Sequence, residues 1–160
     1  MADTFFLEPG YIFFSKAATS VRTVLGSCVS VCLWDVRLGH GGMNHFIYPV
    51  ARQRAQATPR FGNVATLALI RLMERNGSNP EDLAAHIIGG GCQPNGVGAE
   101  IGLENARVAR KALERRGIRI LSEDVGGAMG RKVVFDTQSG QAAVLKVHKI
   151  REGDWKPETL

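Results

Sequence analysis

A cysteine and a histidine, Cys28 and His45, are the two residues of this sequence best suited to covalent chemistry. A hydrolytic cysteine needs a thiolate, a neighbouring imidazole that takes and returns the proton, and hydrogen-bond donors for the oxyanion that forms on the attacked carbonyl. Cys28 and His45 could supply the first two, because they lie on successive apolar segments that a turn joins into a hairpin. The spacing permits a contact between them but does not force it.

Small and polar residues around this pair could complete a site. Gly26 and Ser27 directly precede Cys28, and small residues allow a sharp turn that exposes the next side chain and brings backbone amides close to a substrate. The candidates for orienting the histidine or holding an amide substrate are Thr23, Ser27, Asn44 and Asn105. Each of them suits a turn or a helix cap equally well.

The same residues allow two other interpretations. Free cysteine is among the most buried residue types, so Cys28 could be an inert core residue on a strand. Cys32 lies on the same strand face and could bind zinc together with Cys28 and His45, but a fourth ligand is lacking, and strong zinc signals consist of paired short spacings. We therefore expect no metal and no cofactor. His40 lies in a glycine turn, where we expect it to be solvated.

The composition indicates one domain in a reducing compartment. The chain has 160 residues, of which 44% are hydrophobic, enough for one well-packed core. Its three cysteines, an odd and small number, do not suit the disulfide framework of a secreted domain. No apolar run reaches the roughly 18 residues of a membrane span, and the N-terminus lacks the basic start of a signal peptide. We therefore expect a cytoplasmic protein without membrane insertion.

The formal net charge is +5, and much of the excess lies within 107–119 and 131–149. This balance favours an acidic partner without identifying one. The basic face of a helix could touch nucleic acid, but a solvated face is the commoner explanation, so we expect no nucleic-acid partner.

Short strands alternate with two helices along the chain. Apolar residues at three- to four-residue spacing predict a helix from an N-cap at Asn63 to a stop at Gly77, and a second helix over 101–116. Residues 39–42 are predicted to form a turn. The predicted strands are 11–14, 21–25, 29–34, 43–48, 86–88, 118–121, 133–136 and 142–147, the last two as a hairpin. This alternation predicts an α/β or α+β domain of mixed β-sheets packed with two main helices.

Two segments together resemble the signature of the CheD family. They are TVLGSCVSVCLWD at 23–35 and GGMNHFIYP at 41–49. LGSC and GGMNH at this separation are hard to produce by chance. Further matches are IGGG at 88–91, IGxxN at 101–105, EDVGG at 123–127 and GR at 130–131, so the resemblance covers about 10–147, nearly the whole chain.

The resemblance implies an enzyme that converts glutamine side chains of chemotaxis receptors into glutamate through a Cys-His-Thr triad. Cys28 and His45 fall on the matching positions. The threonine is carried over to Thr23, although some members have it one position earlier, where this chain has Arg22. No cofactor or metal is implied.

The resemblance also implies partners, supporting residues and a related fold. The substrate would be the cytoplasmic domain of a chemoreceptor, and members of the family also pair with a CheC-type phosphatase. Gly26, Ser27 and Asn44 would support the oxyanion or the loop. The fold and the Cys-His geometry would be similar to those of the deamidating cytotoxic necrotizing factors. One departure is CQPNG at 92–96, where the family often has a small apolar run.

Two other functions stay open on the sequence. The chain could be a non-catalytic chemotaxis module with an inert thiol that docks a receptor or a phosphatase. It could also be a different thiol hydrolase, such as a peptidase or an esterase, that uses the same pair. An inert thiol should titrate near about 8.5 and an activated one well below it. Ammonia release without chain cleavage separates a deamidase from a peptidase.

Overall fold

Two mixed β-sheets and two α-helices make up the described part of the chain. This computed structural model describes residues 3–92 and 99–150. The helices are α1 (Gly62–Arg75) and α2 (Ala99–Arg115), and neither is long and apolar enough to cross a membrane. The strands are β1 (Asp3–Phe6), β2 (Ile12–Ser15), β3 (Thr19–Leu25), β4 (Val29–Asp35), β5 (His40–Asn44), β6 (Leu83–Gly89), β7 (Arg119–Val125), β8 (Gly130–Asp136) and β9 (Ala142–Val147). The predicted class, mixed sheets packed with two main helices, is confirmed.

The first sheet has the strand order β1-β3-β8-β9. β1 pairs with β3 in parallel, and the other two pairs are antiparallel. The predicted hairpin of β8 and β9 is confirmed. Its turn is shaped by Asp136, whose Oδ1 accepts hydrogen bonds from the backbone N–H groups of Gln138 and Ser139 at 2.8 and 3.1 Å.

The second sheet has the strand order β2-β5-β4-β6-β7. Its first three pairs are antiparallel, and β6 and β7 pair in parallel, joined by α2 as the crossover. This sheet is the middle layer. One face of β4, including Val29, Val31 and Leu33, packs against the helices, and the other face, including Cys32, packs against the first sheet.

The turn predicted at 39–42 is wrong, because three of these four residues, including Gly41 and Gly42, belong to β5. The chain reverses at 36–39 instead. The cause is Asp35, whose Oδ1 accepts the backbone N–H groups of Arg37 and Leu38 at 2.8 and 2.7 Å and thereby closes the turn earlier. A glycine is required at position 42 of this strand, because a Cβ there would overlap the carbonyl oxygen of Phe13 on the neighbouring β2.

His40, at the start of β5, was predicted to be solvated, and this prediction is wrong because the side chain is buried. It is 5% exposed, its Nε2 lies 3.4 Å from Oγ of Ser78, and the ring of Phe14 packs edge-on against it. Ser78 follows α1, so the burial depends on a tertiary contact that the hairpin sequence does not reveal.

Two further boundaries differ from the prediction. Asn63 is not the N-cap of α1, because the helix begins at Gly62 and the Asn63 side chain binds the backbone of Ala51 instead. The returning strand predicted over 43–48 ends at Asn44. The helix stop at Gly77 is confirmed, since this residue follows the cap with a left-handed φ of 100°.

The first turn of α2 packs directly on the loop that follows β6. A Cβ on Gly102 would overlap the carbonyl oxygen of Gly90 and lie 2.9 Å from that of Gly91. Since backbone atoms cannot yield as a flexible side chain can, we expect Gly102→Ala to lower the free energy of unfolding by about 1–3 kcal/mol, measured by urea denaturation. Leu103→Ala is the control, because Leu103 is exposed and its loss should change stability by less than about 0.5 kcal/mol. Equal stability of the two variants would contradict this close packing.

Candidate functional site

Cys28 and His45 project from the same side of the second sheet. β4 and β5 pair in one constant register along the hairpin. The same register continues past β5 to the hydrogen-bonded pair Val29 and Phe46. In this register Cys28 and His45 lie on a diagonal across the two segments, and alternation turns both toward the first sheet. Cys28 is half-buried and packs against the core between the sheets, whereas His45 is fully buried.

A threonine from the other sheet holds the imidazole of His45. Oγ1 of Thr23, on β3, lies 2.8 Å from Nδ1 of His45 and donates its own proton to the carbonyl of Leu7 at 2.8 Å. A hydroxyl has a single proton, so the hydrogen bond to His45 must use the N–H of Nδ1. The basic nitrogen is therefore Nε2, which is buried and has no hydrogen-bond partner among the described residues.

Burial keeps both members of the Cys-His pair neutral. Desolvation lowers the pKa of His45 to about 4, against a smaller opposite effect of the Leu7 carbonyl. Desolvation also raises the pKa of the Cys28 thiol to about 11, although its own backbone N–H acts in the opposite direction. A pre-activated cysteine would have a lowered thiol pKa, and the pKa of Cys28 is raised instead.

Backbone groups of the segment before β2 fix the position of His45. Its N–H donates to the carbonyl of Tyr11 at 3.3 Å, and its carbonyl accepts the N–H of Gly10 at 2.8 Å. Leu7 belongs to the same segment and binds Thr23. These residues are not among the predicted site residues, because a backbone contact leaves no side-chain signal in the sequence.

Glycines hold the loop that carries Cys28. The N–H of Gly90 donates to the carbonyl of Cys28 at 2.8 Å, and the N–H of Gly91 donates to that of Gly26 at 3.0 Å. The glycine run after β6 therefore forms a tight turn beside the candidate site. Ser27 lies between these contacts, and its carbonyl accepts a hydrogen bond from the side chain of Asn105.

Asn44 supports the hairpin through the backbone of β4. Its Oδ1 accepts the backbone N–H of Val31 at 2.8 Å, so a side chain replaces a rung of the β4–β5 ladder immediately before His45. Its Nδ2 is buried without a hydrogen-bond partner among the described residues. This side chain thus connects the two segments between the last regular pair, Cys32 and Met43, and the isolated pair Val29 and Phe46.

A pocket of about 380 Å³ adjoins the loop before Cys28. Glycine, alanine and serine make up half of its wall, which leaves room for an extended side chain next to the loop that precedes Cys28. Its lining residues are Gly26, Ser27, Gly91, Cys92, Ala128, Met129, Gly130, His148, Lys149 and Ile150. Of the predicted family departure at 92–96, Cys92 lies in this wall, and 93–96 are outside the described residues.

The other thiols differ from Cys28. Cys32 is fully buried in the core between the sheets, and burial raises the pKa of its thiol. Within residues 3–92 and 99–150, no cluster of three or more His, Cys, Asp or Glu side chains is arranged to hold a metal ion.

The hydrogen bond between Thr23 and His45 can be tested with a matched pair of variants. Thr23→Val removes the hydroxyl at nearly constant volume and should lower kcat for any reaction that uses His45 by roughly tenfold, the equivalent of one neutral hydrogen bond. Thr23→Ser keeps the hydroxyl and should retain most of kcat. Steady-state kinetics with both variants checks this, and equal losses in the two would contradict an orienting role of the hydroxyl.

The fold and the candidate site define a class, an α/β protein that places a thiol, an imidazole and a hydroxyl between two mixed sheets. The model of the family described as "CheD chemotactic sensory transduction" matches residues 49–146, more than half of the chain. The chain belongs to the CheD family. The matched stretch begins after Cys28 and His45.

Bacterial relatives match over most of the chain. A protein of Sulfurimonas denitrificans is 34% identical over 90% of this chain and 94% of its own length, and one of Trichlorobacter lovleyi is 38% identical over 85% and 86%. A protein of Anaeromyxobacter dehalogenans is 40% identical over 89% of this chain and 84% of its own length. The first two are called "Probable chemoreceptor glutamine deamidase CheD" and the third carries the same name with the number 1.

Proposed function

We propose that this chain hydrolyses the side-chain amide of glutamine residues in a chemoreceptor, giving glutamate and ammonia. Membership of the CheD family and the names of its relatives support the reaction. The observation that carries the mechanism is the tautomer of His45. Because Thr23 accepts the proton of Nδ1, the lone pair of Nε2 is available on the side of the sheet that Cys28 shares.

In the first half of the reaction, the thiol attacks the glutamine carbonyl. Nε2 of His45 takes the proton of Cys28 as sulfur bonds to the side-chain carbon, and the carbonyl oxygen becomes an oxyanion. We assign the backbone N–H of Cys28 as one donor to this oxyanion, with Gly26 and Ser27 shaping the loop; one such donor is typically worth about 3–4 kcal/mol. The imidazolium then protonates the departing nitrogen. Ammonia leaves, and a thioester remains.

In the second half, water replaces the thiol. Neutral His45 takes a proton from water as its oxygen attacks the thioester carbon, and the imidazolium returns that proton to the sulfur as the carbon–sulfur bond breaks. The products are a glutamate side chain and the free thiol of Cys28. One water is consumed for each ammonia released, and no electron transfer is involved.

The proposed substrate determines the proposed location and partners. The glutamines belong to the cytoplasmic domain of a chemoreceptor, so we place this chain in the cytoplasm. We also propose a CheC-type phosphatase as a regulatory partner. Its binding to the purified chain, measured by titration calorimetry, tests this second partner independently of catalysis.

Deamidation can be tested directly with a purified chemoreceptor cytoplasmic domain. We expect ammonia release and a matching mass gain of the intact receptor, without cleavage of its chain. In water enriched in heavy oxygen, each new glutamate should contain one heavy oxygen atom, since water cleaves the thioester. Chain cleavage would indicate a peptidase instead.

A non-catalytic docking module is the competing function. It predicts receptor binding without any mass gain, and equal binding by the wild-type chain and by Cys28→Ala. That combination, found with every receptor domain tried, would overturn the enzymatic proposal.

A further inference from the structure

A buried asparagine on α2 bridges the two chain segments that carry Cys28 and His45. Asn105 is fully buried, and its Nδ2 lies 3.0 Å from the carbonyl of Ser27 and 3.0 Å from the carbonyl of Ile47. Ser27 directly precedes Cys28, and Ile47 follows His45 by two positions. One amide group therefore uses both of its protons to connect the two segments.

This bridge lies where the β-ladder has ended. The pair Val29 and Phe46 makes the last backbone hydrogen bonds between the two segments, at 3.0 and 3.1 Å. Beyond this pair, Ser27 and Ile47 offer carbonyls to the same donor. A connection through Asn105 thus takes over from the ladder at the level of Cys28.

The orientation of the Asn105 amide follows from its surroundings. The opposite orientation would direct Oδ1 at two carbonyl oxygens, which can only accept hydrogen bonds. In the observed orientation Oδ1 is buried without a hydrogen-bond partner among the described residues. The two carbonyl acceptors therefore fix which way the amide points, and the bridge needs both of its protons.

The helix that presents Asn105 is itself rigidly placed. Ala106 and Ala109 are buried in the core beneath the second sheet, and Gly102 packs on the carbonyl of Gly90. Gly90 in turn donates to the carbonyl of Cys28. α2 therefore contacts the Cys28 loop at two points, through Gly102 on Gly90 and through Asn105 on Ser27. The packing of α2 in the core thus fixes the position of the Asn105 amide.

We propose that Asn105 is a positioning residue, whose two hydrogen bonds hold Cys28 in register with His45 for proton transfer. This inference rests on the proposed Cys-His mechanism. Since a misplacement of about 1 Å can cost roughly 100-fold in rate, Asn105→Leu should lower kcat by roughly that factor. KM should change by less than about twofold, because Asn105 itself does not line the pocket that adjoins the Cys28 loop.

A matched control separates positioning from loss of stability. Asn63 is also an asparagine near a helix N-terminus with two side-chain hydrogen bonds to backbone. Its Nδ2 donates to the carbonyl of Ala51, and its Oδ1 accepts the backbone N–H of Ala51. Asn63→Leu removes the same chemical groups away from the pair. We expect it to leave kcat on a chemoreceptor cytoplasmic domain unchanged, with thermal unfolding recorded for both variants. Equal kcat values for Asn105→Leu and Asn63→Leu would overturn the proposal.

A second readout needs no receptor. Alkylation of Cys28 by iodoacetamide at neutral pH, followed by mass spectrometry at that residue, reports whether His45 assists the thiol. In the wild-type chain His45→Ala should slow alkylation, and in the Asn105→Leu background the same change should have little further effect. An undiminished His45 effect in that background would overturn the positioning role. If the wild-type chain does not deamidate the receptor, while His45→Ala slows alkylation only in the wild-type background, the positioning role stands and the proposed substrate is refuted.

Discussion

Cys28→Ala is expected to abolish glutamine deamidation, with kcat falling by at least roughly 10⁴-fold. Alanine has no nucleophilic atom, and Cys32, which lies on the other diagonal from His45, is fully buried in the core between the sheets. Cys28 is half-buried, so the loss of one sulfur atom should leave the fold intact. Ammonia release from a chemoreceptor cytoplasmic domain measures the effect, and circular dichroism verifies folding.

The other cysteines supply the controls for this variant. Cys92→Ala alters the wall of the adjoining pocket and should retain most of kcat. Cys32→Ala removes a fully buried sulfur from the core and should lower the free energy of unfolding by about 1 kcal/mol while keeping activity. Full activity of Cys28→Ala together with loss of activity in Cys92→Ala would show that Cys92, and not Cys28, is the nucleophile.

Local sequence patterns account for many of the elements, and long-range pairing does not follow from them. The hairpin of β8 and β9 and the helix stop at Gly77 are visible in turn residues and periodicity. The four residues of β1 were not predicted as a strand, because they carry no alternation long enough to recognise. Their parallel partner β3 is supplied only by the tertiary fold.

The candidate site shows the same division. Strand alternation predicts that one of two neighbours on β3 faces the core, and Thr23 is the fully buried one that contacts His45, whereas Arg22 is partly exposed. The carbonyl of Leu7 and the amide of Asn105 reach the site from other elements. Their roles depend on how sheets and helix pack, which one sequence does not encode in a local pattern.

The activity of the wild-type chain is expected to be nearly independent of pH between about pH 5 and about pH 10. The reactive state is a neutral thiol beside a neutral imidazole, and the pKa values of about 4 for His45 and about 11 for Cys28 bracket this range. Below pH 4 protonation removes the base, so kcat/KM should fall tenfold per pH unit. Above pH 11 the pair lacks the proton that the leaving ammonia needs, so activity should fall again.

Removal of the imidazole should convert this plateau into a slope. In His45→Ala, kcat/KM should fall by roughly 10²–10⁴-fold at pH 7 and then rise tenfold per pH unit toward pH 10, because attack now depends on thiolate formed by a group whose pKa is about 11. His86→Ala is the matched control, since His86 binds Ser122 and the carbonyl of Gly140 and should leave the plateau unchanged. Rates measured between pH 5 and pH 9.5 decide the matter. A wild-type acid limb near the ordinary histidine pKa of about 6.5 would mean that His45 is solvated during catalysis, and the buried neutral pair would not be the reactive state.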